Sequence, residues 1–328
     1  MPIWLSNLLL LAGCAALVAL LRAFLFTERS RRALNRLRRD RVGIGCAAIV
    51  AVLLLIGLAD CVQINPRQSV LDFAFRNVPR EDGYSAPLAR TSFNERDPKP
   101  LKGRHLMGTD LLGKDVFLQT LKGCKTALII GGLTSLIYIP FGALLGILGG
   151  YFRRWVDDIV QYLYSTMASI PGILLLVAVM MTLGKGLDRM AIALSLTAWI
   201  GLCRLVRGET FKQAAKPYVE AARALGQSHW RIIVFHILPN VMHLVIINAI
   251  LGFSGLVLAE TILSYLGVGA PVGTPSWGVM IDSARMELSR EPAVWWPITS
   301  ASGALFLLVL SLNLLGDSLR RAFDPKAA

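Results

Sequence analysis

Seven stretches of the chain are apolar and almost free of charge: 5–26, 42–62, 126–150, 159–183, 190–205, 241–266 and 297–315. They carry neither the strict alternation of a half-buried strand nor the narrow stripe of a soluble amphipathic helix. An uncharged apolar run of about 18 residues or more is the signature of a membrane-spanning helix. Lipid offers no partners to backbone N–H and C=O groups, so such runs fold as helices. The pattern therefore predicts an all-α, polytopic membrane protein.

Lys and Arg placement orients it. Arg29, Arg31, Arg32, Arg36, Arg38, Arg39 and Arg41 crowd the linker between the first two stretches, which makes that linker cytoplasmic. Counting crossings from there puts Arg153 and Arg154 inside. The loop with Arg207, Lys212, Lys216, Arg223 and Arg231 is inside too, as is the tail with Arg320, Arg321 and Lys326. Residues 63–123 fall outside. They mix both charges, as long translocated loops do. Within them, 65–101 is polar, rich in Pro and without hydrophobic period, which predicts an extended excursion rather than an independent domain.

The first stretch has rival readings. A cleaved signal peptide would need a positive leading region and a shorter apolar run. Leu11-Ala12-Gly13-Cys14 resembles a lipoprotein cleavage box, but cleavage there would leave 15–26 apolar. A retained extra helix fits better. The organisation expected is thus an N-terminal transmembrane helix (1–27), a basic cytoplasmic linker with a second helix (28–62), an extracytoplasmic segment (63–123) and a helical core (124–325). A cytoplasmic loop at 207–240 interrupts that core.

Composition excludes several classes. The 328 residues are 55% hydrophobic, and the net charge of +13 sits at span ends rather than in an aromatic-interleaved groove, so no nucleic-acid partner is expected. The five cysteines lack metal-ligand spacing. Cys61 and Cys124 fall near the same membrane face, which leaves a disulfide between them open. His229, His236 and His243 recur every seven residues, but Pro239 is expected to interrupt any helix shared by the last two, and no metal is assigned. Gly108-x-x-x-x-Gly113-Lys114-Asp115 nearly spells a P-loop, yet Asp115 replaces the Mg²⁺-binding Ser or Thr and the segment lies outside. Gly142, Gly146 and Gly150 form a small-residue face suited to helix packing. Pro140 and Pro171 are expected to kink their helices. Glu260 is the ionisable residue of most interest within a span. It reads first as a structural hydrogen-bonding group and second as a weak candidate for the substrate pathway, whose residues are otherwise unknown.

The informative segment is 216–240, KPYVEAARALGQSHWRIIVFHILPN. Pro217 suits a first helical turn, where its missing N–H costs nothing. Gly226 can end that short helix in a left-handed conformation. Ser228 can cap a second helix reaching about residue 237, and Pro239 is expected to stop it. The result is a helix–Gly–helix elbow at the cytoplasmic surface. Ala221 and Ala222 keep one face thin, with Glu220 and Arg223 at the rim. A plain connector with an interfacial amphipathic helix is the competing reading.

Glu220-Ala221-Ala222, Gly226 and Leu238-Pro239 resemble the EAA loop of binding-protein-dependent ABC importer permeases. That pattern has Ile where this chain has His236, and His-x-Leu-Pro-Asn resembles the peptide and nickel branch. Met107-Gly108-Thr109-Asp110-Leu111-Leu112-Gly113-Lys114-Asp115 resembles that branch's GTDxxGRD block, with Lys114 for Arg. Trp199 to Arg207 resembles WxxxARxVR, with Cys203 for Ala. Ala259-Glu260 with Leu263-Ser264-Tyr265-Leu266-Gly267, then Pro275-Ser276-Trp277-Gly278, resembles AExxLSFLG and PSWG. Asn313-Leu314-Leu315-Gly316-Asp317, Leu319-Arg320 and Asp324-Pro325 resemble its C-terminal signature. The resemblance covers residue 40 to the end and is to the C-type permease of dipeptide, oligopeptide and nickel importers.

It implies a type I ABC importer permease fold, with six core-type transmembrane helices plus the extra N-terminal one, in the bacterial cytoplasmic (inner) membrane. It implies a pore subunit that is not itself an enzyme and binds no cofactor, with ATP and Mg²⁺ handled by two separate ATPase subunits. A second, non-identical permease, an extracytoplasmic substrate-binding protein and membrane lipid are the other implied partners. It assigns ATPase coupling to Glu220, Ala221, Ala222, Gly226, Leu238 and Pro239, and peptide as cargo, with nickel or another small solute as the alternative. A channel or proton-coupled carrier would need more ionisable groups in the spans. A membrane-anchored enzyme would need a catalytic constellation in 63–123, where His105 is the one histidine.

Overall fold

The computed structural model describes residue 7 and residues 36–65, 68–93, 99–271 and 273–323. The 5–26 stretch lies outside the described residues except Asn7, as do Cys14 and the Asp324-Pro325 pair. Among the described residues, five helices are long and apolar enough to cross a membrane, and six if one sharply bent pair counts as a single span. The residues divide into two compact units, 1–129 with 260–328, and 130–259.

In the first unit, α1 (Arg41–Cys61) starts at Asp40, whose carboxylate accepts the Val42 and Gly43 N–H groups at 3.1 and 3.2 Å. Its 21 residues extend about 31 Å, one hydrocarbon thickness. It packs against α11 (Trp296–Phe323), where a Cβ on Gly43 would meet Ser318 at 3.0 Å. Beyond α1 come a two-stranded antiparallel hairpin, β1 (Gln63–Asn65) with β2 (Gln68–Ser69), and α2 (Val70–Ala74), opened by a Ser69–Asp72 capping box. No disulfide links Cys61 to the buried thiol of Cys124.

The stretch that lacks hydrophobic period is not extended. It closes around buried polar groups. His105 is 1% exposed, with Nδ1 2.8 Å from Asp115 Oδ2 and Nε2 3.3 Å from Glu81 Oε1. Thr109 donates its hydroxyl to the Gly83 carbonyl at 2.7 Å, and Trp296 donates its indole N–H to the Thr109 carbonyl at 2.9 Å. Gly108 and Gly113 both take a left-handed φ of +68°. A Cβ at Gly113 would overlap the Glu81 carbonyl, so only glycine fits there. Polar pairs replace apolar side chains as the core of this segment, which is why no periodicity marked it. His105 is sealed from solvent, and the P-loop-like Gly108 and Gly113 sit where a Cβ would meet the Ser85 and Glu81 carbonyls. Asp115 accepts the Leu118 N–H at 2.9 Å and so caps the helix that follows.

That helix, α3 (Val116–Phe152), is 37 residues long and contains Pro140 without a break. It turns at Arg153 and Arg154, both at positive φ, into α4 (Arg154–Ala168). In the second unit, the apolar stretch 159–183 is two helices, and the kink expected at Pro171 is a full break. α4 and α5 (Gly172–Leu183) meet at 84° around Pro171, which has no N–H to continue the first. α6 (Leu187–Ala214) carries Arg207 and Lys212 on regular helix, so the loop expected to start at 207 begins only after Ala214. A bidentate pair from Arg207 to Asp157, 2.6 Å from Nη2 to Oδ2, ties α6 to α4.

The small-residue face packs helices, as expected. A Cβ on Gly142, Gly146 or Gly150 would approach the α6 carbonyls of Trp199, Cys203 and Arg207 at 2.9, 2.8 and 2.7 Å.

Candidate cytoplasmic elbow

α7 (Pro217–Ala224) opens with proline in its first turn, and Lys216 stands as N-cap. It closes as a Schellman motif. Gly226 lies at φ +74°, its N–H bonds the Arg223 carbonyl at 3.0 Å, and the Gln227 N–H bonds the Ala222 carbonyl at 3.1 Å. Ser228 caps α8 (His229–Ile232), accepting the Arg231 N–H at 3.4 Å. The helix–Gly–helix shape is therefore present.

Its exit differs from expectation. Pro239 does not stop the second helix. Residues Ile233–Ile237 form a π-helical turn that runs directly into α9 (Leu238–Tyr265), giving one 37-residue path, His229–Tyr265. A proline ring collides with the carbonyl four residues back in a regular helix. The wider turn just ahead of Pro239 relieves that contact, with the Leu238 N–H reaching back to Ile233. His236 and His243 thus share a continuous path after all.

The six coupling candidates separate. Glu220, Ala221 and Gly226 are exposed; Ala222 is 5% exposed and turned inward with Val219, three residues earlier on the same face. Leu238 and the exposed Pro239 lie past the π turn, at the root of the elbow. Arg223 does not sit free at the rim, since its guanidinium lies 4.9 Å over the Tyr151 ring.

Side chains outside the motif hold the elbow in place. Tyr218 donates its hydroxyl to Gln213 at 2.9 Å and accepts from the Asn240 amide at 3.3 Å. That amide also donates to the His236 carbonyl at 2.6 Å. His236 Nε2 lies 3.1 Å from Gln227 Oε1, and Tyr151 Oη 2.9 Å from His229 Nδ1. His236, the departure from the Ile of the motif, therefore bridges the Schellman turn to the π turn. The sequence signal for this was the polar residue itself, at a position an apolar side chain would fill. Outward, the elbow presents Leu225 at 81% exposure, Phe235 at 68% and Trp230 at 60%.

Glu260 is the second candidate. It is 2% exposed. Its Oε1 accepts the Ser276 and Ser264 hydroxyls at 2.6 and 2.8 Å, and Thr261 lies 3.4 Å from Oε2. Those serines in turn accept the Gly278 and Ala270 N–H groups at 3.1 Å each. The carboxylate thus organises the loop into α10 (Trp277–Ala284) through hydroxyl relays, the structural role read first. Elsewhere, in the second unit, a cavity of about 320 Å³ is lined by Tyr138, Leu194, Thr197, Asn248 and Gly252, none of which the sequence patterns singled out.

These features define a multi-pass, all-α membrane protein with a preformed elbow between two spans. Residues 139–328 match the model of the family described as binding-protein-dependent transport system inner membrane component. Among similar proteins, the glutathione transport system permease protein GsiD of Pectobacterium atrosepticum is 36% identical over 222 residues, 68% of this chain and 73% of that one. The dipeptide transport system permease protein DppC of Alkalihalophilus pseudofirmus is 34% identical, over 74% of this chain and 80% of its own. The oligopeptide transport system permease protein OppC of Bacillus subtilis is 29% identical, over 90% and 88%. The chain belongs to the family of binding-protein-dependent transport system inner membrane components: it is a permease subunit of an ABC transport system.

Proposed function

We propose that this permease is one half of the pore of a peptide importer, paired with a second, non-identical permease, and that its 217–240 elbow is the coupling element seated on an ATPase subunit. The observation that carries the coupling role is the elbow's outward face. Leu225, Phe235 and Trp230 stand exposed, on a backbone already fixed by capping and by the Gln213–Tyr218–Asn240 chain. Exposed apolar groups on a rigid, polar-rimmed scaffold are the anatomy of a protein interface. Glu220, Ala221 and Gly226 would line the contact, Ala222 would support it from behind, and Leu238 and Pro239 would pass its movement to α9. ATP and Mg²⁺ would be bound by two ATPase partners, which drive the pore by favouring one of its two states. Peptide as cargo is supported by the names of the relatives, which are dipeptide, oligopeptide and glutathione permeases.

Purification of the full chain from native membranes tests the coupling role. The ATPase subunits should co-purify, and Leu225→Glu with Ala221→Gln should release them while leaving the permease pair intact. Undiminished ATPase in the double variant would refute the elbow as the docking element.

A further inference from the structure

The cavity of the second unit, about 320 Å³, lies at the small end of the range of ligand pockets. Its lining comes from α3, α5, α6 and α9. Tyr138 is the middle residue of the apolar stretch 126–150, and Thr197 lies midway along 190–205. Asn248 is seven residues into 241–266. The polar groups of the cavity therefore sit at the depth of the hydrocarbon core, where a polar group without a partner is costly.

Two of those groups lack a partner. Tyr138 is 2% exposed, and its hydroxyl forms no hydrogen bond of ordinary geometry among the described residues, although Ser135 stands one turn back on the same helix. That hydroxyl points at Gly252, where a Cβ would stand 2.6 Å from it. The half-buried Asn248 amide, one turn from Gly252 along α9, also makes no hydrogen bond among the described residues. Thr197 donates its hydroxyl to the Leu194 carbonyl at 3.1 Å, which leaves its oxygen able to accept. A buried hydroxyl without a partner lowers stability, and proteins keep such groups where function uses them.

The mouth of the cavity is bare. Gly201 of α6 and Gly255 of α9 are exposed, and nothing lies within 4 Å of where a Cβ would stand on either. Among the described residues, none of the twelve that line the cavity is charged, and none is Cys or His. A metal cation meets no imidazole, thiolate or carboxylate there. A free carboxylate or ammonium meets no counter-charge. A peptide bond does fit. It offers one donor and one acceptor, the pair that an asparagine amide presents in return. The leucine and alanine walls suit the side chains beside it.

We infer that this cavity is a subsite for a peptide bond of the cargo during its passage: Asn248 pairs with the backbone N–H and C=O, and Tyr138 donates its hydroxyl to a backbone carbonyl beside them. The inference rests on the peptide-importer reading and deepens it, since the permease then holds the uncharged backbone of the cargo rather than its charged ends.

The test uses cells carrying the intact importer and three radiolabelled peptides: trialanine and two analogues, each methylated at one peptide nitrogen. Asn248→Leu should lower trialanine uptake about tenfold but leave one analogue within about twofold of its native rate, because methylation has already removed the same bond. Every other subunit is the same throughout, so its own preference cancels in that comparison. Tyr138→Phe should lower trialanine uptake about threefold or more while the melting temperature of the purified importer holds or rises, since an unpaired buried hydroxyl is removed. Gly255→Leu should close the mouth and stop uptake with the permease pair still assembled. Three results would each overturn the subsite and leave peptide import standing. One is equal loss for all three peptides in Asn248→Leu. Another is native uptake in Tyr138→Phe. The third is failure of the pair to assemble in Gly255→Leu, which would give the cavity to a helix of the second permease. Native cells that took up none of the three peptides, nor any dipeptide, would sink both readings.

Discussion

The 217–240 elbow and the 108–115 turn are both built around a left-handed glycine, yet the two glycines do different work. Gly226 lies at φ +74° with nothing within 4 Å of where a Cβ would stand. Gly113 lies at φ +68° with the Glu81 carbonyl in that place. The elbow therefore needs glycine for a dihedral alone, while the turn needs it for a dihedral and a close approach. The first is a local demand met by local sequence. The second depends on a residue 32 positions away.

Substitution breaks the comparison open. The largest effect is expected from Gly113→Val, which adds overlap with backbone to conformational strain, on the order of 3 kcal/mol or more together. Folded importer should be lost from the membrane, as scored by size-exclusion chromatography. His105→Ala comes next. It leaves Glu81 and Asp115 buried without the group between them, at a cost of about 3 kcal/mol. The melting temperature of the purified importer should fall sharply, whereas uptake per folded molecule should hold.

Gly226→Val sharpens the contrast. With open space around it, only the left-handed dihedral is penalised, by about 1–2 kcal/mol. The protein should fold and melt a few degrees lower, but ATP-linked uptake should be abolished. Gly226→Asn should restore uptake, because asparagine tolerates the left-handed region. Loss of uptake in both variants would mean that bulk, not backbone conformation, matters at the elbow.

The smallest effect is a pH dependence confined to the outer segment. Burial pushes the Asp72 carboxyl up, but the Lys122 ammonium and the Ser69 hydrogen bonds outweigh it and leave its pKa below the ordinary 3.8. A carboxylate with a lowered folded-state pKa stabilises fully above its unfolded value and loses that contribution as pH falls through the folded one. Melting temperature should therefore drop below about pH 4, and Asp72→Asn should flatten that drop. An unaltered acid limb in the variant would remove Asp72 from the account.

The same local and non-local division governs what the sequence disclosed. The spans were legible because lipid demands uncharged runs, and the elbow because Pro217, Gly226 and Ser228 are punctuation read within a few residues. The inward turn of Ala222 runs against the reading that placed it beside Ala221 on an open face; it packs inward with Val219, three residues earlier. The kink at Pro171 was legible from the proline itself, but its 84° size was not, because 159–183 stays apolar through it and hydropathy registers no break. The π turn escaped because a proline in sequence says stop, while a widened turn lets the helix pass. The outer segment was the hardest. Its core is Glu81, His105 and Asp115, three residues that hydrophobic patterning scores as surface. The Tyr218–Asn240 link was hidden for a similar reason, being a polar contact across 22 positions.

The central claim is that the elbow is the ATPase-facing element, and hydrogen–deuterium exchange over residues 217–232 tests it most directly. The permease pair alone is compared with the assembled importer. Slower exchange across the Gly226 turn on assembly, with residues 81–115 unchanged, is the result this account predicts. Equal exchange at the turn in both states, with protection appearing at another cytoplasmic loop, would contradict it.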